Sequence, residues 1–140
     1  MNDAKKVCYN IKGERFEVDA KDLKFRPGVY GILIENNKIL LSKQWDGYDF
    51  PGGGMEIYET IDEALEREFL EETGLKIKKG KIVECESKLF MPYYKKGPWN
   101  TILIYFLVKQ IGGRLGDVKF DEEEQKYADL PEWIDVDKVD

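Results

Sequence analysis

Cysteine is scarce. Cys8 and Cys85 are the only two in 140 residues, too few for the dense cross-linking of a small secreted scaffold and without the spacing of a zinc site. Both read as reduced thiols of a cytoplasmic protein. Long apolar runs are missing as well. The longest, Ile102 to Val108, falls far short of the roughly 18 residues that span a bilayer, and the polar stretch from Met1 to Asn10 lacks the apolar segment of a signal peptide. Neither export nor membrane insertion is expected. Basic residues are in deficit, 22 Lys and Arg against 28 Asp and Glu, for a net charge of −6. Holding a nucleic-acid backbone needs a Lys/Arg surface that neutralises phosphates, so stable nucleic-acid binding is not expected. A small phosphate compound stays open, provided that metal ions held by the abundant Glu offset the repulsion.

What is present suits a soluble globule. Apolar residues make up 42% and charged residues 36%, too apolar for a disordered chain. The length fits one compact domain over residues 1–140 that buries roughly two-thirds of its unfolded surface, with no internal repeat or low-complexity linker to divide it. The oligomeric state is not legible, and a homodimer is allowed.

From Val7 to Val18 the pattern reads as two short strands around Lys12-Gly13-Glu14. The segment Gly28 to Ser42 reads as a largely buried hairpin turning at Glu35-Asn36-Asn37-Lys38, because paired Asn residues tolerate positive φ. Gly52-Gly53-Gly54 follows an aromatic stretch and predicts a loop leading into a helix. The helix is expected over Thr60 to Glu72: Thr60 and Glu63 form a capping-box pattern, and Ile61, Ala64, Leu65 and Phe69 recur at the spacing of a buried face. Gly74 supplies the stop. Strands are expected at Ile82 to Phe90 and Thr101 to Lys109, the second ended by Gly112-Gly113. After Asp121 a short helix is expected before Trp133-Ile134-Asp135-Val136.

The helix carries the chemistry. Glu68, Glu71 and Glu72 lie at i, i+3 and i+4 and so share one face. Like charges there repel, and Glu71 and Glu72 sit at the negative end of the helix dipole, where cations are the stabilising partners. That arrangement beside a glycine loop invites a cation. Mg²⁺ prefers oxygen ligands, retains waters and commonly bridges phosphates. The competing reading is a solvated acidic face relieved by Arg67, Lys76 and Lys78, and spacing alone does not choose between the two.

The complete string does choose. Gly53, five residues, Glu59, seven residues and then Arg67-Glu68-Phe69-Leu70-Glu71-Glu72-Thr73-Gly74-Leu75 resembles the Nudix box, G-x5-E-x7-R-E-U-x-E-E-x-G-U with U apolar, at every defined position of residues 53–75. Seven fixed residues at about one in fifteen each put chance agreement on the order of 10⁻⁸. The resemblance implies an α/β fold, a Nudix-type α/β/α sandwich with a mixed β-sheet whose box forms a loop-helix-loop at the catalytic centre. It implies a Mg²⁺-dependent pyrophosphohydrolase, with Mn²⁺ an allowed substitute, that cleaves the diphosphate linkage of a nucleoside diphosphate-X compound such as a nucleoside triphosphate or ADP-ribose. Carried over by position, Glu71 and Glu72 are the principal metal ligands, Glu68 a further ligand or the base, and Gly52 a carbonyl ligand, while Glu59 pairs with Arg67. A carboxylate from outside the box joins the metal in several members, and Glu122, Glu123 and Glu124 are the candidates, with Glu123 at the centre of the run. A catalytically silent Nudix-like nucleotide-binding or sensor domain is the alternative, although such a domain is expected to have lost box carboxylates and none is lost here.

One departure from the family is visible: Tyr58 stands where many members have Gly. Many members also place a helix after the last strand, and with Asp140 as the last residue here that helix is expected to be short, displaced or missing. For the substrate, a nucleobase is expected to stack on aromatics among Trp45, Tyr48, Phe50, Tyr93, Tyr94 and Trp99, and Arg26, Lys95 and Lys96 are phosphate candidates. Pro92 and Tyr93 fall where the family distinguishes ADP-ribose hydrolases, by a Pro, from dinucleoside polyphosphate hydrolases, by a Tyr. Both are present, so the choice stays open.

Overall fold

The computed structural model describes residues 4–44, 47–92, 96–116 and 131–138. Two short strands open the chain, β1 (Lys5–Tyr9) and β2 (Arg15–Asp19), antiparallel as the turn at Gly13 requires. Next come β3 (Lys24–Ile32), β4 (Ile34–Glu35), β5 (Lys38–Gln44), β6 (Gly47–Asp49) and β7 (Gly52–Gly54). The helix α1 (Ile61–Thr73) leads into two long strands, β8 (Leu75–Phe90) and β9 (Trp99–Gly113), and β10 (Glu132–Asp135) runs into a short 3₁₀ turn.

The main sheet has the order β2-β1-β8-β9-β3-β7, and it is mixed: β1 runs parallel to β8 and β3 parallel to β9, while β2 is antiparallel to β1, β8 to β9 and β7 to β3. A smaller sheet, β10-β5-β4, also carries β6 on β5. α1 lies on one face of the main sheet. Side chains alternate along β3, so Val29 and Gly31 point to the helix while Arg26, Gly28 and Tyr30 point away from it. Phe69 of α1 is fully buried and rests against Gly31, where an added Cβ would come within 2.7 Å of its ring. Val29, Leu33, Leu40, Ala64, Leu65, Leu75, Ile77, Phe106 and Val108 complete this core. Each large apolar side chain buried here contributes roughly 1.5–3 kcal/mol.

The helix ends as its residues dictate. Thr60 accepts a hydrogen bond from the Glu63 amide and the Glu63 carboxylate accepts one from the Thr60 amide, the reciprocal box that satisfies two otherwise unpaired donors. Gly74 adopts the left-handed conformation (φ 84°), and its amide closes on the Leu70 carbonyl at 2.8 Å. The last carbonyls at this end are taken up by the turn that follows β9: the Arg114 amide donates to Gly74 and the Gly116 amide to Thr73, both at 3.0 Å. α1 is thereby tied at its C-terminal end to the turn after the strand that pairs with β3.

Two sequence expectations are corrected. Gly28 to Ser42 is not one hairpin. The turn itself forms, with Asn36 and Asn37 at φ 53° and 61°, but it joins only β4 to β5. At Leu33, which is 1% exposed, the chain leaves the main sheet and enters the smaller one. An apolar run needed by two sheets looks the same in sequence as one buried strand. The three glycines form the edge strand β7 instead of a loop, pairing Gly28↔Gly54, Val29↔Gly53 and Tyr30↔Gly52. Without side chains they show no strand alternation, and their pairing is dictated by β3. The short helix expected after Asp121 lies outside the described residues. No helix among the described residues is long and apolar enough to cross a membrane. Cys8, buried, and Cys85, exposed, are both free thiols.

Candidate active site

The acidic face of α1 meets β7 edge-on, and each glycine there has its own neighbour. A Cβ on Gly53 would lie 2.6 Å from Oε2 of Glu68. On Gly52 (φ 152°) it would lie 2.1 Å from the Val29 carbonyl oxygen. On Gly54 it would lie 3.1 Å from an amino group of Arg26, which reaches the strand from the opposite face of the sheet. At Gly52 the obstacle is backbone, so only glycine fits; at Gly53 and Gly54 a Cβ would displace the Glu68 carboxylate or the Arg26 guanidinium that faces it.

Arg67 organises the carboxylates. Its Nε and Nη2 donate to the two oxygens of Glu59 at 2.5 and 2.8 Å, a bidentate fork, and Nη2 also donates to the Gly54 carbonyl at 3.2 Å. Nη1 spans Glu68 Oε1 at 3.0 Å and Glu71 Oε2 at 3.1 Å. A guanidinium has five N–H donors, and these contacts engage all of them. The Glu59 hydrogen bond, reinforced by Glu68 and Glu71, holds the Arg67 guanidinium charged far above its usual range. In return the Arg67 hydrogen bond, against a smaller opposing effect of burial, keeps the Glu59 carboxyl below the usual carboxylate range. Glu59 also accepts the Glu56 amide at 2.8 Å, which fixes the segment leading into the helix.

Glu72 is placed differently. It is 7% exposed, and its Oε2 accepts the Gly52 amide at 3.1 Å, so this carboxylate is pinned to the edge strand itself. Glu68 and Glu72 therefore approach neighbouring glycines of β7, while Glu71 is the more solvated of the three, with 40% of its side chain exposed. Tyr58 does not disturb this arrangement. It is 79% exposed, and neither it nor Ile57 has positive φ, so the segment closes without needing a glycine there.

The other face of the main sheet carries aromatics. Tyr30 and Tyr105 stand opposite one another in the β3–β9 register and stack at 5.4 Å, with Phe50 edge-on to Tyr105 at 5.9 Å. Burial pushes both phenols up. Arg26 lies over the Trp99 ring at 4.6 Å. Glu59, Arg67, Glu68, Glu71, Glu72 and Gly52 are thus gathered on one side of β7, and Arg26 and Phe50 on the other. Tyr48 belongs elsewhere: on β6, 50% exposed, it donates to Glu132 of β10 at 3.2 Å. Trp45, Tyr93, Tyr94, Lys95 and the run Glu122, Glu123 and Glu124 lie outside the described residues. Tyr30 and Tyr105 went unnoticed in the sequence because both sit inside strands whose apolar character marks them as core. The signal that finds them is the period of two, which turns them away from Val29 and Phe106.

The residues present suit a hard divalent cation. Their donor set is wholly oxygen, from carboxylates at i, i+3 and i+4, and β7 offers a cradle that a Cβ would fill. Among the described residues no three acidic or thiol side chains converge into a finished cage, and Arg67 Nη1 bridges Glu68 and Glu71.

The chain resembles known proteins in sequence and in fold. The NUDIX domain family model matches residues 24–140. An ADP-ribose pyrophosphatase of Methanocaldococcus jannaschii is 33% identical over 138 residues, 86% of this chain and 78% of that protein. An 8-oxo-dGTP diphosphatase of Buchnera aphidicola is 33% identical over 99 residues, 66% of this chain and 70% of that protein. Among solved structures, a Nudix hydrolase from Nitrosomonas europaea superposes with a TM-score of 0.65 at 21% identity, covering 82% of this chain and 75% of that one. Hydrolases of this family generally use divalent metal cations. With the family model spanning most of the chain and the fold shared, the protein belongs to the Nudix family and is a hydrolase acting on phosphorus-containing acid anhydrides.

Proposed function

We propose that this protein is a Mg²⁺-dependent pyrophosphohydrolase, with Mn²⁺ able to substitute, that cleaves the diphosphate linkage of a nucleoside diphosphate-X compound by attack of water at phosphorus. The observation that carries the reading is the seating of Glu68 and Glu72 against the side-chain-free edge of β7, with Arg67 fixed beside them by Glu59. The names of two relatives, an ADP-ribose pyrophosphatase and an 8-oxo-dGTP diphosphatase, support a substrate of this class and leave its base and its X group open.

In this reading Glu68, Glu71 and Glu72, with the Gly52 carbonyl and a carboxylate such as Glu123, hold the metal. Bound Mg²⁺ supplies Lewis acidity, acidifying water and neutralising charge on the phosphoryl oxygens. The chain contains no histidine, so proton transfer near neutral pH falls to a carboxylate. Glu68 takes that role, because its carboxylate faces the Gly53 backbone where a phosphate approaches, and Oε2 accepts the proton of the attacking water. Arg67 and Glu59 act as positioning residues: locked to each other and to the Gly54 carbonyl, they keep α1 and β7 in fixed relation. Across the sheet edge, Phe50 and Arg26 contact the remainder of the substrate. The protein acts in the cytoplasm as a single domain over residues 1–140, without stable nucleic-acid or membrane partners.

The test is a panel of nucleoside triphosphates, ADP-ribose, NADH, dinucleoside polyphosphates and nucleotide sugars incubated with Mg²⁺. Phosphate release is assayed with and without added phosphatase. Turnover of at least one compound, lost on chelation, is expected; no turnover of any would overturn the proposal.

A further inference from the structure

Arg26 lies on the face of the main sheet turned away from α1, and its setting differs from that of Arg67. Among the described residues no carboxylate forms an ion pair with it, in a chain whose net charge is −6. Its side chain is nonetheless held. The Trp99 ring lies under the guanidinium at 4.6 Å. On the other side, a Cβ at Gly54 would meet Nη2, Cζ and Nε at 3.1, 3.3 and 3.3 Å, three nearly equal distances that put the Gly54 backbone over the flat face of the group. The Tyr30 hydroxyl lies beside its inner edge, both groups being close neighbours of Gly28. The backbone is fixed as well: β3 pairs with β9 at Arg26↔Thr101, and the Thr101 hydroxyl donates to the Arg26 carbonyl at 2.8 Å.

A guanidinium stacked on both faces keeps its N–H groups at the rim, aimed in the plane of the stack. That is the form in which arginine recognises phosphate bidentately. Stacking on tryptophan costs no donors. Gly54, which covers one face of the group, is the residue next to the glycine that faces Glu68, and its own carbonyl accepts from Arg67. One glycine therefore separates the carboxylate face of β7 from a pre-oriented cation on the opposite face.

Resting on the hydrolase reading above, we propose that Gly54 and Trp99 are positioning residues that hold Arg26 as a fixed anion-binding arm. This arm takes the phosphoryl group of the substrate that the carboxylates of α1 do not, so that the diphosphate lies across the bare edge of β7. The third glycine of the triplet is then explained by Arg26, as the second is by Glu68.

The experiment measures binding and turnover separately. Calorimetry with methylene diphosphonate, a diphosphate that cannot be hydrolysed, is run in Mg²⁺ on the wild type and on Arg26→Gln, Trp99→Leu and Trp99→Phe, with thermal melts alongside. Steady-state kinetics follow on the best substrate of the panel. Arg26→Gln should weaken the diphosphonate at least tenfold and raise KM by a similar factor with a smaller change in kcat. Trp99→Leu should raise KM several-fold, and Trp99→Phe, which restores an aromatic face, should bring it back. In the Arg26→Gln background, Trp99→Leu should add nothing to KM. If Arg26→Gln melts early, Arg26→Lys, which keeps the charge but loses the planar fork, carries the same comparison and should also weaken the diphosphonate. Wild-type affinity in the Arg26 variants would overturn the arm, and multiplying effects of Trp99→Leu and Arg26→Gln would overturn the clamp. A wild type that hydrolyses nothing would defeat the hydrolase reading alone, because the calorimetry still decides whether Arg26 binds the anion.

Discussion

The Cβ that Gly53 lacks would sit 2.6 Å from Oε2 of Glu68. The clash is with the far end of a side chain and not with backbone, so the carboxylate can swing aside while the fold stays. Gly53→Ala is therefore expected to move Glu68 and leave the protein standing. A misplacement of about 1 Å at a reacting group costs on the order of 100-fold in rate, so kcat should fall by about that factor while the melting temperature shifts by less than about 4 °C. Parallel kinetics and thermal melts check it; a variant with wild-type turnover would remove Glu68 from the chemistry.

Glu72 offers a cleaner substitution. Its Oε2 accepts from the Gly52 amide, a bond that the carbonyl oxygen of glutamine also makes, so Glu72→Gln keeps the shape and removes only the charge. Turnover should drop at least ~100-fold, as when a group aimed at developing charge is lost, and the stabilisation of the fold by Mg²⁺ seen in a melting curve should shrink. The second readout separates a metal ligand from a residue that merely anchors β7, since an anchor would leave the Mg²⁺ effect intact.

These two residues also show what the sequence makes legible. The helix could be placed from periodicity, capping and the glycine stop because each signal is local, and its bounds agree with α1 to within a residue. The acidic face and its glycine neighbour could be found from spacing. What spacing does not carry is direction: that Arg67 would satisfy every donor among Glu59, Gly54, Glu68 and Glu71, and that Glu72 would turn to the Gly52 amide, depend on β7 lying beside α1. β7 itself was hidden, because Gly52, Gly53 and Gly54 carry no side chains and their strand is defined by its partner. The switch of sheets at Leu33 was hidden for a related reason: burial on both sides erases the alternation that distinguishes one strand from two.

Arg67 and Glu59 predict a pH dependence. The folded protein holds the Glu59 carboxyl below its ordinary value of 4.5 through the Arg67 hydrogen bond. A depressed carboxylate contributes stability that is present above its unfolded value and is lost as the pH falls through its folded one. Glu59→Gln should thus destabilise the protein by about 1–3 kcal/mol near pH 7, the usual cost of losing a hydrogen bond to a charged group. As the pH falls below about 4.5, the gap between wild type and variant should close. Urea denaturation at a series of pH values between neutrality and pH 3 measures this gap; a constant difference across the series would show that the ion pair contributes nothing beyond shape.

The contact between α1 and β3 can be tested apart from the chemistry. Gly31 carries no titratable group and faces Phe69, where an added Cβ would meet ring carbons at 2.7 and 2.9 Å and Val108 at 3.1 Å. Phe69 is fully buried, so its ring has no room to retreat, and the strain must be met by a shift of α1 away from the sheet. Gly31→Ala should cost about 1–3 kcal/mol, the range of an overpacked core. Because α1 carries Glu68 and Glu72 to β7, the same shift should lower turnover in the folded protein at a temperature well below its melting point. A variant that is destabilised yet fully active would mean that the carboxylates find the glycine edge without help from this packing, and that Arg67 with Glu59 alone holds helix and strand in register.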